Sequence, residues 1–457
     1  MVLDKHNKYS TMYRNTLYWG IGIENELYLE FEKPIIFSKD KFINNHKRER
    51  YSVDYYSIYN QDNLKKMFDN YTMDSYSLPL LLNSHSFTYT DIMGNSKTLY
   101  TKLCEPNPKF IGQTLGQYIH TNKYLKDNYE YTYTYDGDTI ELITNNFFNA
   151  TIDNVIGELT DIKYNFITNL QDILKVDSIF NKYGKVDYMK TNYPFAVHMT
   201  NINNVSMFNN GTLHFNITLP TVLINNMISN MDEFISIHKK YIRLIQFMEP
   251  IFMTIYGTPD PFSKYSDMYS ACSQRCAVSR YIGIGTYNTD SMITGKLLTD
   301  NIDLFAIATE PYGWYNMYYN NCGYNKLKEL GYDINFNKHY HHGVEIRFFE
   351  HISDINIIKE ILDFLIYLGD YAMDNIDIEN PIYSDEWNKF IVDCMKNGKN
   401  VNINSFIEMY NMIFGCNLNS TNILSLYSDI YNILKEKSKT FSPFSINAIH
   451  NKYIYYV

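Results

Sequence analysis

Long apolar runs are missing from this 457-residue chain: no stretch approaches the roughly 18 residues that a membrane-spanning helix needs. The first residues, MVLDKHNKYSTMYRN, also lack the apolar core of a secretory leader. Neither membrane spanning nor secretion is expected, so the expected location is cytoplasmic: the host cytoplasm, or the virion if the source is viral. Cysteine is sparse. The six thiols (Cys104, Cys272, Cys276, Cys322, Cys394 and Cys416) form no C-x-x-C pair, which argues against a structural zinc and fits reduced thiols in a cytosol-like compartment. Basic blocks are equally scarce, the longest being KRER at 47–50, and the formal net charge is -10 with a pI of about 5.7. A nucleic-acid surface is therefore excluded as the main business, and no membrane partner is indicated. An anionic substrate would need local help from a metal ion or an arginine. No internal repeat or low-complexity linker divides the chain, whose length suits one large domain with appendages or two to three ordinary ones.

What is abundant is Asn, Tyr, Ile and Lys, with 44 tyrosines. A+T-rich codon usage produces that skew without selection on the protein, so the tyrosines are not read as functional. The same skew points to a parasite, a bacterium or a large DNA virus as the source.

Strand-like runs carry most of the polar residues capable of chemistry. They are LYWGIGIENELYLEF (17–31), SFTYTDIM (86–93), YTYTYDGDTIELIT (131–144), FAVHMTN and GTLHFNIT (within 195–218), and GVEIRFF (343–349). Between them, three-four apolar spacing predicts helices over 149–174, 228–257 and 354–375, the last capped by Ser353 or Asp354. From about 376 the chain reads as short helical pieces, a C-terminal helical appendage (376–457) to a catalytic domain over 1–375. Residues 36–85 read as an insertion. Strands mixed with long helices, without regular alternation, give an α+β class.

Within YWGIGIENELYLEF, Glu24 and Glu26 lie two apart on a strand and so share one face. Two like charges held close on an apolar strand need cations, arginines or open water. Alone, the pair reads as a solvent-facing edge continued by Glu30 and Glu32. Glu141 in DGDTIELIT, His214 and Asn216 in GTLHFNIT, and Glu345 with Arg347 in GVEIRFF each have an equally ordinary reading: a strand start, a hydrogen-bonded core imidazole, a cross-strand ion pair. Taken together they are E-x-E, E, H-x-N and E-x-R, all on strands with apolar residues on the alternate face. Carboxylates and an imidazole suit divalent cations, and an arginine fork suits phosphate oxygens.

In this order, GIGIENELYLEF, DGDTIELIT, GTLHFNIT and GVEIRFFEHISDINIIKEILDFLIYL resemble the motifs of the glutamine synthetase-like carboxylate–amine ligases, and most closely the amidoligase family. The likeness runs in patches over roughly 17–375. It implies a curved antiparallel sheet forming a metal and ATP funnel, with Glu24, Glu26, Glu141, His214 and Glu345 holding Mg²⁺ or Mn²⁺. It further implies that Arg347 contacts the transferred phosphate, that Asn216 faces nucleotide or phosphate, and that Glu26, Glu345 and Arg347 are catalytic. The implied reaction joins a small-molecule or peptide carboxylate to an amine through an acyl phosphate. The family often has a second histidine where this chain has Asn216, and His198 could substitute from a neighbouring strand. Arg275 and Arg280 are candidates for carboxylate or phosphate binding, with surface charge as the other reading. GIGTY (283–287) resembles no phosphate loop, and Cys272 and Cys276 read as small buried apolar residues. Two further functions stay open: a glutamate–cysteine ligase, and a viral particle protein that keeps the fold without turnover. Oligomeric state is not legible.

Overall fold

The computed structural model describes residues 17–33, 35–38, 75–78, 80–82, 85–87, 92–94, 113–136, 139–144, 151–176, 178–190, 211–224, 227–258, 272–273, 286–294, 333–336, 343–374 and 377–438. His198, Cys276, Arg275 and Arg280 lie outside these residues, as does most of the expected insertion. The class is α+β. Its main sheet has seven strands, which we label β1 (Leu17–Leu27), β2 (Tyr133–Asp136), β3 (Thr139–Ile143), β4 (Thr212–Ile224), β5 (Met227–Ile228), β6 (Ile334–Phe336) and β7 (Val344–Glu350). The order across the sheet is β6-β7-β4-β1-β3-β2, with β5 paired to β4. β1–β3, β2–β3, β4–β5 and β6–β7 all run antiparallel.

Alternation explains the inner strands. Ile21, Ile23, Leu213, Phe215, Ile217, Val344, Ile346 and Phe348 are all buried, and so are the polar residues that alternate with them in the middle of β1 and β4. Both faces are covered, which is unusual for a strand carrying glutamates and histidine.

Six long or medium helices follow the expected places: α1 (Ile152–Val176), α2 (Met231–Tyr256), α3 (Ile355–Met373), α4 (Asp385–Asn397), α5 (Ile407–Phe414) and α6 (Ile423–Ser438). The Asn230 side chain caps α2 by accepting from the Glu233 N–H, and Asp232 and Glu233 lie in its first turn, where carboxylates favour the helix dipole. Of the two caps expected for α3, Asp354 is the one used, accepting from the Asn356 N–H.

The chain forms two compact units, one of residues 1–23, 146–156 and 214–457, the other of 24–145 and 157–213. In the first, α2 and α3 are joined where the Tyr241 hydroxyl donates to the Leu365 carbonyl at 2.9 Å. Helices α4 to α6 belong to this same unit. Pro250, inside α2, has no N–H to give the carbonyl four residues before it. That carbonyl, Gln246, accepts instead from the indole N–H of Trp387 on α4 at 2.8 Å, and the next one, Phe247, accepts from the Tyr410 hydroxyl on α5 at 2.7 Å. Trp387 and Tyr410 are completely buried.

In the second unit, Leu29–Phe31 pairs antiparallel with Val186–Tyr188, and Gln171 on α1 donates to the Val186 carbonyl at 2.9 Å. Tyr133 packs edge-on to Phe166 with ring centroids 4.9 Å apart, while its hydroxyl donates to the Leu125 carbonyl. The ends of the expected insertion pair with each other, Ile35–Ser38 against Ser75–Leu78. One expectation fails here. SFTYTDIM is not a single strand: His85–Phe87 and Ile92–Gly94 pair antiparallel, with Phe87 opposite Ile92, so the chain reverses between them. Gln113–Thr114 adds a third strand to this small sheet.

Candidate functional site

The sheet order sets Glu345 on β7, His214 on β4, Glu24 and Glu26 on β1, and Glu141 on β3 on four successive strands. Register fixes part of the row directly. Glu26 lies opposite Glu141, and Glu24 opposite Ile143, so the two carboxylates facing each other across β1 and β3 are neighbours on one surface. Asn25, between the glutamates on the alternate face, donates to the Thr212 carbonyl at 3.4 Å. Glu24, Glu26, His214, Asn216 and Glu345 are all buried; Glu141 is half-buried.

Within the first unit, buried His214 and Glu345 bring an imidazole nitrogen and a carboxylate oxygen to 3.7 Å of each other, a pair of potential metal donors. An ion bound at about 2.0–2.2 Å to three donors spaces those donors by roughly 3–4 Å. The 3.7 Å between His214 Nδ1 and Glu345 Oε1 lies within that range. Oxygen donors suit Mg²⁺ and Mn²⁺, and a single imidazole is compatible with Mn²⁺ in particular, so the donor chemistry fits the ions expected.

Glu345 is held through both of its carboxylate oxygens. Its Oε1 accepts from Arg347 Nη1 at 2.5 Å and lies 3.7 Å from His214 Nδ1, and its Oε2 accepts from Asn335 Nδ2 at 2.7 Å. The Glu345–Arg347 contact is the ion pair that their two-residue spacing suggested, made within one strand rather than across two. The Arg347 side chain is 14% exposed, against 3% for Glu345, so the guanidinium lies nearer to solvent than the carboxylate it holds. A carboxylate this deep needs such a partner, because leaving it uncompensated would cost several kcal/mol.

The other buried glutamate of β7 is different. Glu350 has the opposite parity from Glu345, and it accepts from the Ser273 hydroxyl at 2.7 Å and from the Thr258 N–H. Burial, with Glu350 beside it, pushes the Cys272 thiol up to about 12, which fits the small-apolar reading of that residue.

Asn335 was not singled out by sequence. It sits in INF, a run too short to show alternation, and only its pairing opposite Glu345 reveals it. Asn216 is buried on β4, two residues beyond His214. Arg275 and Arg280 lie outside the described residues, and no helix among the described residues is long and apolar enough to cross a membrane.

No known family profile matches the chain. It is similar to the uncharacterized protein R704 of Acanthamoeba polyphaga mimivirus, with 35% identity over 406 residues, covering 87% of this chain and 70% of the mimivirus protein. A large-virus relative agrees with one of the sources that the composition suggested. With that extent of both sequences aligned, the chain belongs to the family of the mimivirus protein R704.

Proposed function

We propose that the protein is an ATP-dependent carboxylate–amine ligase with a glutamine synthetase-like catalytic fold of the amidoligase type, working with Mg²⁺ or Mn²⁺. The observation that carries this reading is the meeting of buried His214 and Glu345 beside Arg347, from strands far apart in sequence. Glu26 and Glu141, opposite each other on neighbouring strands, hold negative charge that divalent cations would offset. The same cations let a polyphosphate approach.

His214 and Glu345 would hold an ion, and Glu24, Glu26 and Glu141 are the further carboxylate ligands that the resemblance implies. When bound, the ion neutralises charge spread over the phosphate oxygens during transfer. Arg347 orients and stabilises the transferred phosphoryl group through its fork of donors. Asn216 faces the nucleotide or its phosphates. In the first step a substrate carboxylate oxygen bonds to the γ-phosphorus of ATP as the bond to ADP breaks. In the second, the amine nitrogen bonds to the acyl carbon, phosphate leaves, and the nitrogen loses a proton. Exclusion of water protects the acyl phosphate between the steps. The substrates are a small-molecule or peptide carboxylate and an amine.

The test has two arms. Mn²⁺ is added to the purified protein and its melting temperature followed, since a ligand that binds only the native state raises apparent stability. ADP release is then measured with panels of carboxylates and amines. We expect a rise in melting temperature with Mn²⁺, and ADP release that needs both substrates and is lost in Glu26→Ala and Glu345→Ala. An ATPase-silent protein whose melting temperature ignores metal and Mg-ATP would overturn the proposal and favour a particle protein without turnover.

A further inference from the structure

We infer that Asn335 is a positioning residue that sets the metal affinity of the site by fixing the carboxylate of Glu345, an inference that rests on the metal-binding reading above. A glutamate carboxylate turns freely about its last bond, and which oxygen it presents decides whether it can be a ligand. In Glu345 both oxygens are taken up. Arg347 donates to Oε1 and Asn335 to Oε2, at 2.5 and 2.7 Å. The plane of the group is thereby set, and Oε1 is left 3.7 Å from His214 Nδ1, the other potential donor of this unit.

The chemistry of the partner matters as much as its place. A lysine at 335 would neutralise Glu345 and compete with an incoming cation. A neutral amide orients the carboxylate without reducing its charge, which is the usual role of a residue hydrogen-bonded to a metal ligand from behind.

Asn335 is itself held from several sides. It pairs opposite Glu345 in the β6–β7 ladder, and the Arg347 N–H donates to the Asp333 carbonyl at 2.7 Å. The Asp333 carboxylate accepts from the Thr286 hydroxyl at 3.3 Å, and the Thr286 oxygen accepts from buried Gln246 of α2 at 2.7 Å. At the other end of the strand, the Phe336 ring lies 5.5 Å from Phe234 and 5.6 Å from His238. A three-residue strand tied to α2 at both ends has little room to shift, so its central side chain is a fixed donor.

The experiment titrates the whole chain with Mn²⁺ alone and reads the free aquo-ion by electron paramagnetic resonance. It compares wild type with Asn335→Leu, Asn335→Thr and Glu345→Ala, and records each metal-free melting temperature. Asn335 is half-buried, so leucine of similar size is accommodated. We expect Asn335→Leu to weaken Mn²⁺ binding about 10–100-fold with little change in metal-free melting temperature. Asn335→Thr, which restores a hydroxyl donor, should recover part of the loss, and Glu345→Ala should abolish binding. If Asn335→Leu binds Mn²⁺ within twofold of wild type while Glu345→Ala does not bind, the role of Asn335 is refuted and the metal centre stands. That role is refuted equally if Asn335→Leu lowers only the melting temperature. A wild-type chain that takes up no Mn²⁺ removes the centre, and the role of Asn335 with it.

Discussion

Lowering the pH should destabilise the fold through one residue, His238. Its ring is completely buried on α2, where Nδ1 lies 2.8 Å from the Phe234 carbonyl and Nε2 accepts from the Leu219 N–H at 3.0 Å. Because Nε2 is the acceptor, the proton sits on Nδ1 and the imidazole is neutral with both nitrogens used. A second proton would set N–H against N–H and place a charge in the core. Burial accordingly lowers the pKa from 6.5 to about 4, although the bond to Phe234 pulls the other way. The denatured chain therefore takes up this proton first as pH falls. The stabilisation is complete above about 6.5, declines between 6.5 and 4, and changes no further below 4. At about 1.4 kcal/mol per pKa unit the whole effect is about 3 kcal/mol, of which about 2 kcal/mol is lost by pH 5. Carboxylates titrate in the same range, so the assay is a difference. Urea unfolding is followed at pH 7 and pH 5 for wild type and for His238→Gln, whose amide oxygen can accept the Leu219 N–H and does not titrate. Wild type should lose about 2 kcal/mol more than the variant between the two pH values. Equal losses would refute the reasoning.

Two further substitutions probe the packing around the same strands. A Cβ at Gly343 would run into His238 Nε2 and come within 2.5 Å of the Ile217 carbonyl, so Gly343→Ala should cost about 1–3 kcal/mol; an unchanged melting temperature would contradict the close approach. Trp387→Phe keeps most of the ring but removes the donor to Gln246, and it should cost about 1–3 kcal/mol by leaving a buried carbonyl unsatisfied. Trp387→Ala adds a cavity and should cost about 3–5 kcal/mol, both variants being read by calorimetry.

The α+β class and the long helices were legible because each carries its own period: two on the strands, three to four on α1, α2 and α3. Glu24, Glu26, Glu141, His214, Asn216, Glu345 and Arg347 stood out in the sequence because each interrupts an apolar strand with a polar side chain, and the structure buries all of them in full or in part. What sequence could not supply was register. Only the β1–β3 pairing puts Glu26 opposite Glu141, and only the β6–β7 pairing puts Asn335 opposite Glu345. Asn335 was invisible because one polar residue between Ile334 and Phe336 gives no period to read. SFTYTDIM misled for a related reason: its alternation carries across from Phe87 to Ile92 with no glycine or proline between them to mark the reversal. The chemistry of the Asp354 cap was legible, but the repair of the Pro250 break was not, because the residues that compensate it lie more than a hundred positions away.

That distance has a consequence during synthesis. The Gln246 carbonyl must await a tryptophan 141 residues downstream, and the Phe247 carbonyl later gains the hydroxyl of a tyrosine 163 residues downstream. At about 5–20 residues per second a ribosome needs roughly 7–28 s to deliver the first of these donors. A helix α2 formed within that interval would carry a break that it cannot yet mend. Recombinant fragments stopping short of Tyr410 should therefore aggregate, and slow translation of the last hundred residues should increase the chain's dependence on chaperones.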